Sequence, residues 1–583
     1  MKPFVHRLFV ATLLILSACV TQAASLSWTP PAGAVQAYRV YWGTASRDYS
    51  QVFGHGVDTT VPALVTSGLT PGVRYYFAVT SIDGAGKESP YSDENSFVEG
   101  TLTGQHHYYR PGTETAHCPC GDGSGSSWKN AAWPLPSLSR HNDSNGLPDH
   151  DPQAGLVRGD TYWLGAGDYG VNVFFDDEDG KKTISLIKAT SARHGPAPDW
   201  KNAYGHGPVV FTHLDLYTGY YVFDGQQRDA TWRYGDTAKY GMRIKSHGDK
   251  AINIDDSAQG GNRVSHHDTF RYIDMVGGGR DTGNLNDYLV YGLKGNVGMT
   301  IQYSAMRDSG AAFFNIRELW DQVTLDHNYI ARNTSSEHGH GDGISFTDVS
   351  NWVISNNVFE DVEGSGVIAA VNGGRQTHLA IFGNTFVSTP AYLRDEGRHL
   401  ICIEENGTCA YLEPHSWGIS GAALFEAETT TTDAQFWHNT IAGIKSATHT
   451  GFIAQANNDN MVANNAWYDS SVTDNGGAKF AGNWYYHTAP GDDTSPSRVI
   501  CDSNCDVFSD IDGGAHNARD LHLKAPLAKG IVPPAATPHR SAINVDPDGK
   551  IRGRCGARDI GTFEYCPSGS YSALQPPKDI RFD

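Results

Sequence analysis

The alternation of apolar and polar residues changes period partway along this chain. From Ser25 to about Val98 it has period two. Ser25-Leu-Ser-Trp28, Tyr38-Arg-Val-Tyr-Trp42 and Tyr75-Tyr-Phe-Ala-Val-Thr80 each place large apolar groups on one face of a short strand, with turns between. Further on, five short apolar runs end in the same residue: Leu325-Asp-His-Asn328, Ile354-Ser-Asn-Asn357, Ile381-Phe-Gly-Asn384, Phe436-Trp-His-Asn439 and Val462-Ala-Asn-Asn465. Their asparagines lie 29, 27, 55 and 26 residues apart, so the long step is two repeats or one repeat with an insertion. A β-rich unit recurring in the high twenties predicts a solenoid, in which each unit buries its apolar face against its neighbours. The asparagines are expected to stack as a buried hydrogen-bonded ladder, a structural role.

A second strand follows a glycine in each unit: Gly310-Ala-Ala-Phe-Phe, Gly343-Ile-Ser-Phe, Gly366-Val-Ile-Ala-Ala, Gly421-Ala-Ala-Leu-Phe and Gly451-Phe-Ile-Ala-Gln. The distances from this glycine to the next ladder asparagine, 18, 14, 18, 18 and 14 residues, predict one shared register. Side chains alternate across a strand, so the residue after each glycine should point inward and the next outward. This places Phe314 and Phe425 outside. Gly241-Met-Arg-Ile-Lys245 and Gly292-Leu-Lys294 are earlier members, although the 18 residues from Gly292 to Gly310 are few for a full coil.

Some segments resemble known families. Leu69-Thr-Pro-Gly-Val-Arg-Tyr75 resembles a tyrosine corner, and with the strands around it residues 24–98 resemble a fibronectin type III domain, which implies a spacer or binding module. Gly121-Asp-Gly-Ser-Gly-Ser-Ser-Trp-Lys-Asn-Ala131 and Arg158-Gly-Asp-Thr-Tyr-Trp-Leu-Gly-Ala-Gly-Asp-Tyr169 resemble the opening of right-handed parallel β-helix proteins of the pectin-lyase-like superfamily. Leu521–Gly530, Asp546-Pro-Asp-Gly549 and Arg558–Glu564 resemble the closing segment of bacterial members. The expected fold is all-β. A signal peptide (1–23) is followed by the β-sandwich (24–98), the β-helix (105–566) and a C-terminal tail (567–583). The superfamily holds lyases, hydrolases, epimerases and adhesins, so fold alone does not set the reaction.

Composition agrees with the fold. The 583 residues include 65 glycines and 27 prolines, as turn-rich β proteins do. The formal charge of −20, with no basic stripe, argues against nucleic acid but leaves an anionic glycan open, since a few Lys or Arg in one groove can neutralise it. Lys2 and Arg7 flank an apolar run too short for a membrane span. Cleavage after Ala23 would secrete the protein, whereas Leu16-Ser-Ala-Cys19 would leave a lipid anchor on Cys19. We expect an exported bacterial monomer, secreted or periplasmic, with an outer-membrane lipoprotein as the alternative. Eight further cysteines suggest disulfides: a staple between Cys402 and Cys409, and a link from Cys501/Cys505 to Cys555/Cys566.

The chemistry concentrates near Glu337-His-Gly-His-Gly-Asp-Gly-Ile-Ser-Phe346. Long connectors at 329–342 and 385–420 flank a short one, which predicts a trough walled by loops. It gathers His338, His340 and Asp342 with Glu363, and Arg394, Arg398 and His399 from the second loop, while Arg307 and Arg332 sit on neighbouring coils. β-Elimination from a polyuronate needs a base for the C5 proton, a cation against the carboxylate and an acid for the leaving oxygen. His338 or His340 is the candidate base and Lys294, Arg307 or Arg332 the candidate cation, with Phe314 as a stacking surface. Hydrolysis would instead pair Asp342 with Glu363, Asp308 or Glu337. The favoured reading is an acidic-glycan lyase, with a hydrolase or a non-catalytic glycan-binding β-helix as alternatives. No metal is assigned. Calcium is the one cofactor for which oxygen ligands are at hand, in Asp176–Gly180 and Asp143–Asp149, although each run reads first as an acidic turn.

Overall fold

The computed structural model describes residues 25–66, 69, 73–98, 104–111, 121–133, 135, 155–178, 180–228, 231–234, 239–246, 250–257, 261–277, 287–333, 342–362, 366–370, 374–389, 399–402, 409–412, 423–427, 431–444, 459–470, 472, 478–491, 493–502, 505, 507–510, 520–556 and 558–582. The fold is the expected right-handed parallel β-helix, one sheet of 30 strands wound into coils, preceded by a β-sandwich. Each coil visits three faces. Sheet A includes Tyr221–Asp224, Thr269–Arg271, Thr300–Gln302 and Thr324–Asp326. Sheet B includes Met242–Lys245, Ile273–Val276, Ala305–Arg307, Tyr329–Asn333 and Val358–Val362. Sheet C includes the end of Val209–Leu216, Lys250–Asn253, Tyr288–Gly292, the first half of Ala312–Asp321, the first residues of Ile344–Ser355, Gly366–Ala370 and Ala423–Ala427. Apolar positions on successive coils pair in columns, as with Phe223, Phe270, Ile301, Leu325 and Ile354, and form a continuous dry core.

The ladder lies at the corner between sheets A and B. Asn328, Asn357, Asn384, Asn439 and Asn465 are joined by a sixth member, Asn483, and each is at most 1% exposed. In every pair the earlier residue gives its backbone N–H and its amide Nδ2 to the next Oδ1, at 2.8–3.1 Å. The residue before each ladder asparagine is left-handed, which turns the corner: His327, Asn356, Gly383, His438, Asn464 and Gly482 have φ of 54, 57, 65, 52, 55 and 64°. His and Asn tolerate this region better than most side chains. Because Asn384 bonds Asn439, the 55-residue step is one coil with an insertion; its described part is an antiparallel hairpin, His399–Cys402 with Cys409–Leu412.

The glycines do not share one register. Phe314, Ile344, Ile368 and Phe425 are aligned, although they stand four, one, two and four residues after their glycines. Phe314 therefore has the inward phase of Ile344 and is fully buried, so it cannot serve as a sugar-stacking surface. The coil from Val290 to Phe314 is complete at 24 residues, so the short Gly292–Gly310 step reflects the shifted glycine alone.

The sandwich pairs the sheet Val57–Thr59, Ala37–Gly43, Arg74–Ile82 and Asn95–Val98 with a second sheet of Ala63–Val65, Ser25–Thr29 and Lys578–Phe582. The last strand corrects the expected C-terminal tail. Ile580 and Phe582 enter the core formed by Leu26, Trp28, Val40, Phe77 and Val79. Disulfides join Cys501 to Cys505 and Cys555 to Cys566, so each pair closes locally instead of linking the two. Cys402 and Cys409 face each other across the hairpin backbone; Cys118 and Cys120, the signal segment 1–23 and the turn of the tyrosine corner at 70–72 lie outside the described residues. Among the described residues no helix is long and apolar enough to cross a membrane.

Candidate functional site

Sheet C shows how alternation builds a face for chemistry. Leu214, Ile252, Val290, Phe314 and Ile344 form its inward column and are fully buried. One residue later comes an outward polar column, Asp215, Asn253, Tyr291, Asn315 and Ser345. Asn253 Nδ2 donates to Asp215 Oδ1 at 2.9 Å, and His213 Nε2 lies 3.1 Å from the same oxygen. Burial opposes the Asp215 carboxylate, yet its bond to His213 holds it below the usual range. Lys250 Nζ sits 4.2 Å from the centre of the Tyr291 ring, which stacks on Tyr288 at 5.5 Å.

At the corner between sheets B and C, residues of successive coils interlock. Arg307 grips Asp274 with Nε at 2.9 Å and Nη2 at 3.0 Å, and Arg243 Nε reaches the same carboxylate at 2.9 Å. Arg307 Nη1 also donates to Asp308 at 2.5 Å, and Arg332 donates to Asp308 through Nε at 2.7 Å and Nη2 at 3.2 Å. Arg332 continues to the Tyr329 hydroxyl at 3.0 Å, which donates to Glu360 at 2.7 Å. Burial works against the Asp308 carboxylate, but Arg332 and Arg307 hold its pKa down to about 2. Burial pushes Glu360 up, and burial followed by the charge of Glu360 pushes Asp361 up, so this end of the chain of groups retains a proton into the neutral range. Asp274 and Asp308 thus each bridge two guanidinium groups.

The opposite edge of sheet C carries Lys294. Its backbone N–H, with that of Leu293, donates to the buried Asp255 carboxylate at 3.0 and 2.5 Å. Its ammonium is 3.3 Å from Glu318, with side chains 33% and 54% exposed. An ion pair this exposed contributes roughly 0–1 kcal/mol, so an incoming anion can displace Glu318.

The structure thus brings together some expected site residues and separates others. Arg307 and Arg332 meet, and each has all three guanidinium nitrogens hydrogen-bonded; Arg332 is the more exposed of the two, at 26% against 12%. Lys294 stands across the sheet from them, not in the same cluster. Asp342 is 4% exposed, its carbonyl accepting from Asn333 Nδ2 at 3.0 Å, so it is not an open groove residue. His338, His340, Glu363, Arg394 and Arg398 lie outside the described residues, as do the side chains of His399 and Phe425. His213, Asp215, Asn253, Tyr291 and Asp274 went unread in the sequence. The signal available was the period-two polar position one residue after each buried apolar residue of sheet C.

Among the described residues no group of three or more His, Cys, Asp or Glu side chains could hold a metal ion. In the acidic run near residue 176, Asp176 accepts from the Tyr221 hydroxyl and Leu156 N, and Glu178 accepts from Gly219 N and pairs with His266. These carboxylates tie down the first coils, and the described donor set does not fit calcium. The Asp143–Asp149 run lies outside the described residues.

Residues 12–98 match the fibronectin type III domain family, a span that starts ahead of the first described strand at Ser25. No curated protein matches the chain. Among solved structures it is similar to the pectate lyase Pel9A, at 12% identity and TM-score 0.38, over 80% of this chain and 97% of that one. It is also similar to the catalytic unit of a GH87 α-1,3-glucanase from Streptomyces thermodiastaticus, at 12% identity and TM-score 0.27, over 83% and 86%. A family 28 exopolygalacturonase from Yersinia enterocolitica gives 9% identity and TM-score 0.27, over 83% and 97%. Scores this low assign no activity.

Proposed function

We propose that this chain is an exported enzyme that binds an acidic polysaccharide along the outer face of sheet C and cleaves it by β-elimination. One observation carries the reading. In a protein of formal charge −20, Lys250, over the Tyr291 ring, and Lys294, whose ion pair with Glu318 is exposed, present ammonium groups on this face next to the stacked Tyr288 and Tyr291. Uronate carboxylates bound along the face would meet Lys294 at one edge and, at the other, the guanidinium cluster that ends in Arg332; a carboxylate neutralised in this way favours the charge that builds up as the C5 proton leaves. His338 and His340 are the proposed bases. The two local disulfides fit export to an oxidising compartment.

The hydrolytic reading needs two available carboxylates. Among the described carboxylates at this face, Asp215, Asp255, Asp274 and Asp308 each already accept side-chain or backbone donors, which supports elimination; Glu337 and Glu363 lie outside the described residues. The test is incubation with acidic and neutral polysaccharides, following unsaturated-end absorbance and reducing ends separately. Both should rise with an acidic substrate. Reducing ends alone would mean a hydrolase, and binding without either product a non-catalytic glycan binder. Lys294→Ala should lower kcat/KM at least a hundredfold; a near-normal value would remove Lys294 from the site.

A further inference from the structure

A second groove, of about 680 Å³, runs along the outer face of sheet A beside the β-sandwich, within the size range of ligand sites. Its floor is one in-register column, Val222, Thr269, Thr300, Thr324 and Val353, so it crosses five coils, or about 19 Å at the usual strand spacing. Along one side run the corner residues Tyr220, His267, Gly298, Gln322 and Asn351, all left-handed, with φ from 55 to 80°. Arg74 and Tyr76 of the sandwich line it as well, so the groove is composite.

Two features give it chemistry. The rings of Tyr220 and His267 stack at 4.9 Å and 25°, and His267 lies against Gly298, where even a Cβ would come within 2.1 Å of Nδ1. Glycine at this one position lets the two half-buried rings form a flat platform on the groove's edge. The second feature is charge. Among the described residues that line the groove are Arg74 and Lys181 but no Asp or Glu, in a chain with 64 acidic residues. Burial holds His267 neutral at pH 7, so the ring acts as a surface and not as a cation.

We propose that this groove is a second glycan-binding site, taking a segment of anionic polysaccharide with a sugar ring on Tyr220–His267, carboxylates against Arg74 and Lys181, and hydroxyls on the threonine column. It shares its ligand class with the proposed function and none of its residues. The sandwich then becomes one wall of a binding site as well as a spacer.

The test is affinity electrophoresis of the full-length protein through gels containing polygalacturonate or, as the neutral control, dextran. The polyuronate should retard the wild type, and Tyr220→Ala and Arg74→Gln should each weaken this binding at least tenfold. Thr324→Trp, which fills the groove without touching the rings, should do the same; it decides the matter if Tyr220→Ala fails to fold. Unchanged retardation in a folded Thr324→Trp, no retardation of the wild type, or equal retardation by dextran would each overturn the proposal. The lyase reading is scored separately by unsaturated-end absorbance on short soluble uronides, which these variants should leave unchanged. Groove-dependent retardation without cleavage would keep this site and remove that reading.

Discussion

Asp268 is fully buried beneath the platform, accepting from Ser265 Oγ and from Tyr221 N at 2.9 Å. Burial pushes its pKa up to about 7, against the pull of those two bonds. The folded state therefore holds this proton between about pH 4 and 7 while the unfolded chain releases it. The contribution to stability is full below the ordinary carboxylate pKa and is lost as pH rises through 7, a change on the order of 4 kcal/mol at most. Asp268→Asn should flatten that part of the profile, so its melting temperature should fall less than the wild type's between pH 5 and 8. Asp308 has the opposite sign. Held at about 2 by Arg332 and Arg307, it adds stability above pH 4 that disappears as pH falls through 2. At this scale the sequence was read unevenly. Arg307 and Arg332 stand out as charges, but Asp274, which Arg307 shares with Arg243, comes from another coil, as does the Asp308 that Arg332 grips, and a single sequence gives no sign of which charges end up buried together. Phe314 was misplaced because its side was counted from a glycine in a connector of variable length.

At the scale of the element, the ladder shows what a repeat can predict. The side chain of Asn384 makes four bonds: its Nδ2 donates to Ile354 O at 2.8 Å and Asn439 Oδ1 at 3.1 Å, and its Oδ1 accepts Asn357 N at 2.9 Å and Nδ2 at 3.0 Å. Asn384→Ala would leave the buried Asn357 N–H without an acceptor, which costs about 1–3 kcal/mol beyond the bonds themselves. Urea unfolding should show a loss of roughly 3 kcal/mol or more, against under 0.5 kcal/mol for an exposed control such as Lys529→Ala. The ladder was legible because identical residues at one spacing are costly to keep buried unless they satisfy one another. Strand phase in sheet C was not, because the connectors before it differ in length and follow no period.

For the whole molecule, the order of domains could be read from the sequence, but not how the sandwich is completed. The strand Lys578–Phe582 is five residues long and pairs with Ser25–Thr29, so nothing in its neighbourhood announces its partner. Asn95 Nδ2 donates to Ile580 O at 2.6 Å and Arg193 to Phe582 O at 3.0 Å, which ties strand, sandwich and helix together. Truncation after Pro577 removes two buried apolar side chains, each contributing roughly 1.5–3 kcal/mol. Limited proteolysis of that protein should cut within residues 25–98 at enzyme levels that leave both the wild type and the helix coils intact. Equal resistance would mean that the sandwich closes without this strand.

That pairing also bears on the timetable of biosynthesis. Residues 25–98 leave the ribosome early, yet the strand that completes their sheet follows roughly 550 residues later. An N-terminal domain usually finishes folding as it emerges, whereas this sheet lacks one strand until residues 578–582 are made. Until then Leu26, Trp28 and Phe77 lack part of their cover. Such a chain remains threadable through a translocation pore, and a product cut short upstream of residue 578 is left with an unfinished domain that proteases can recognise.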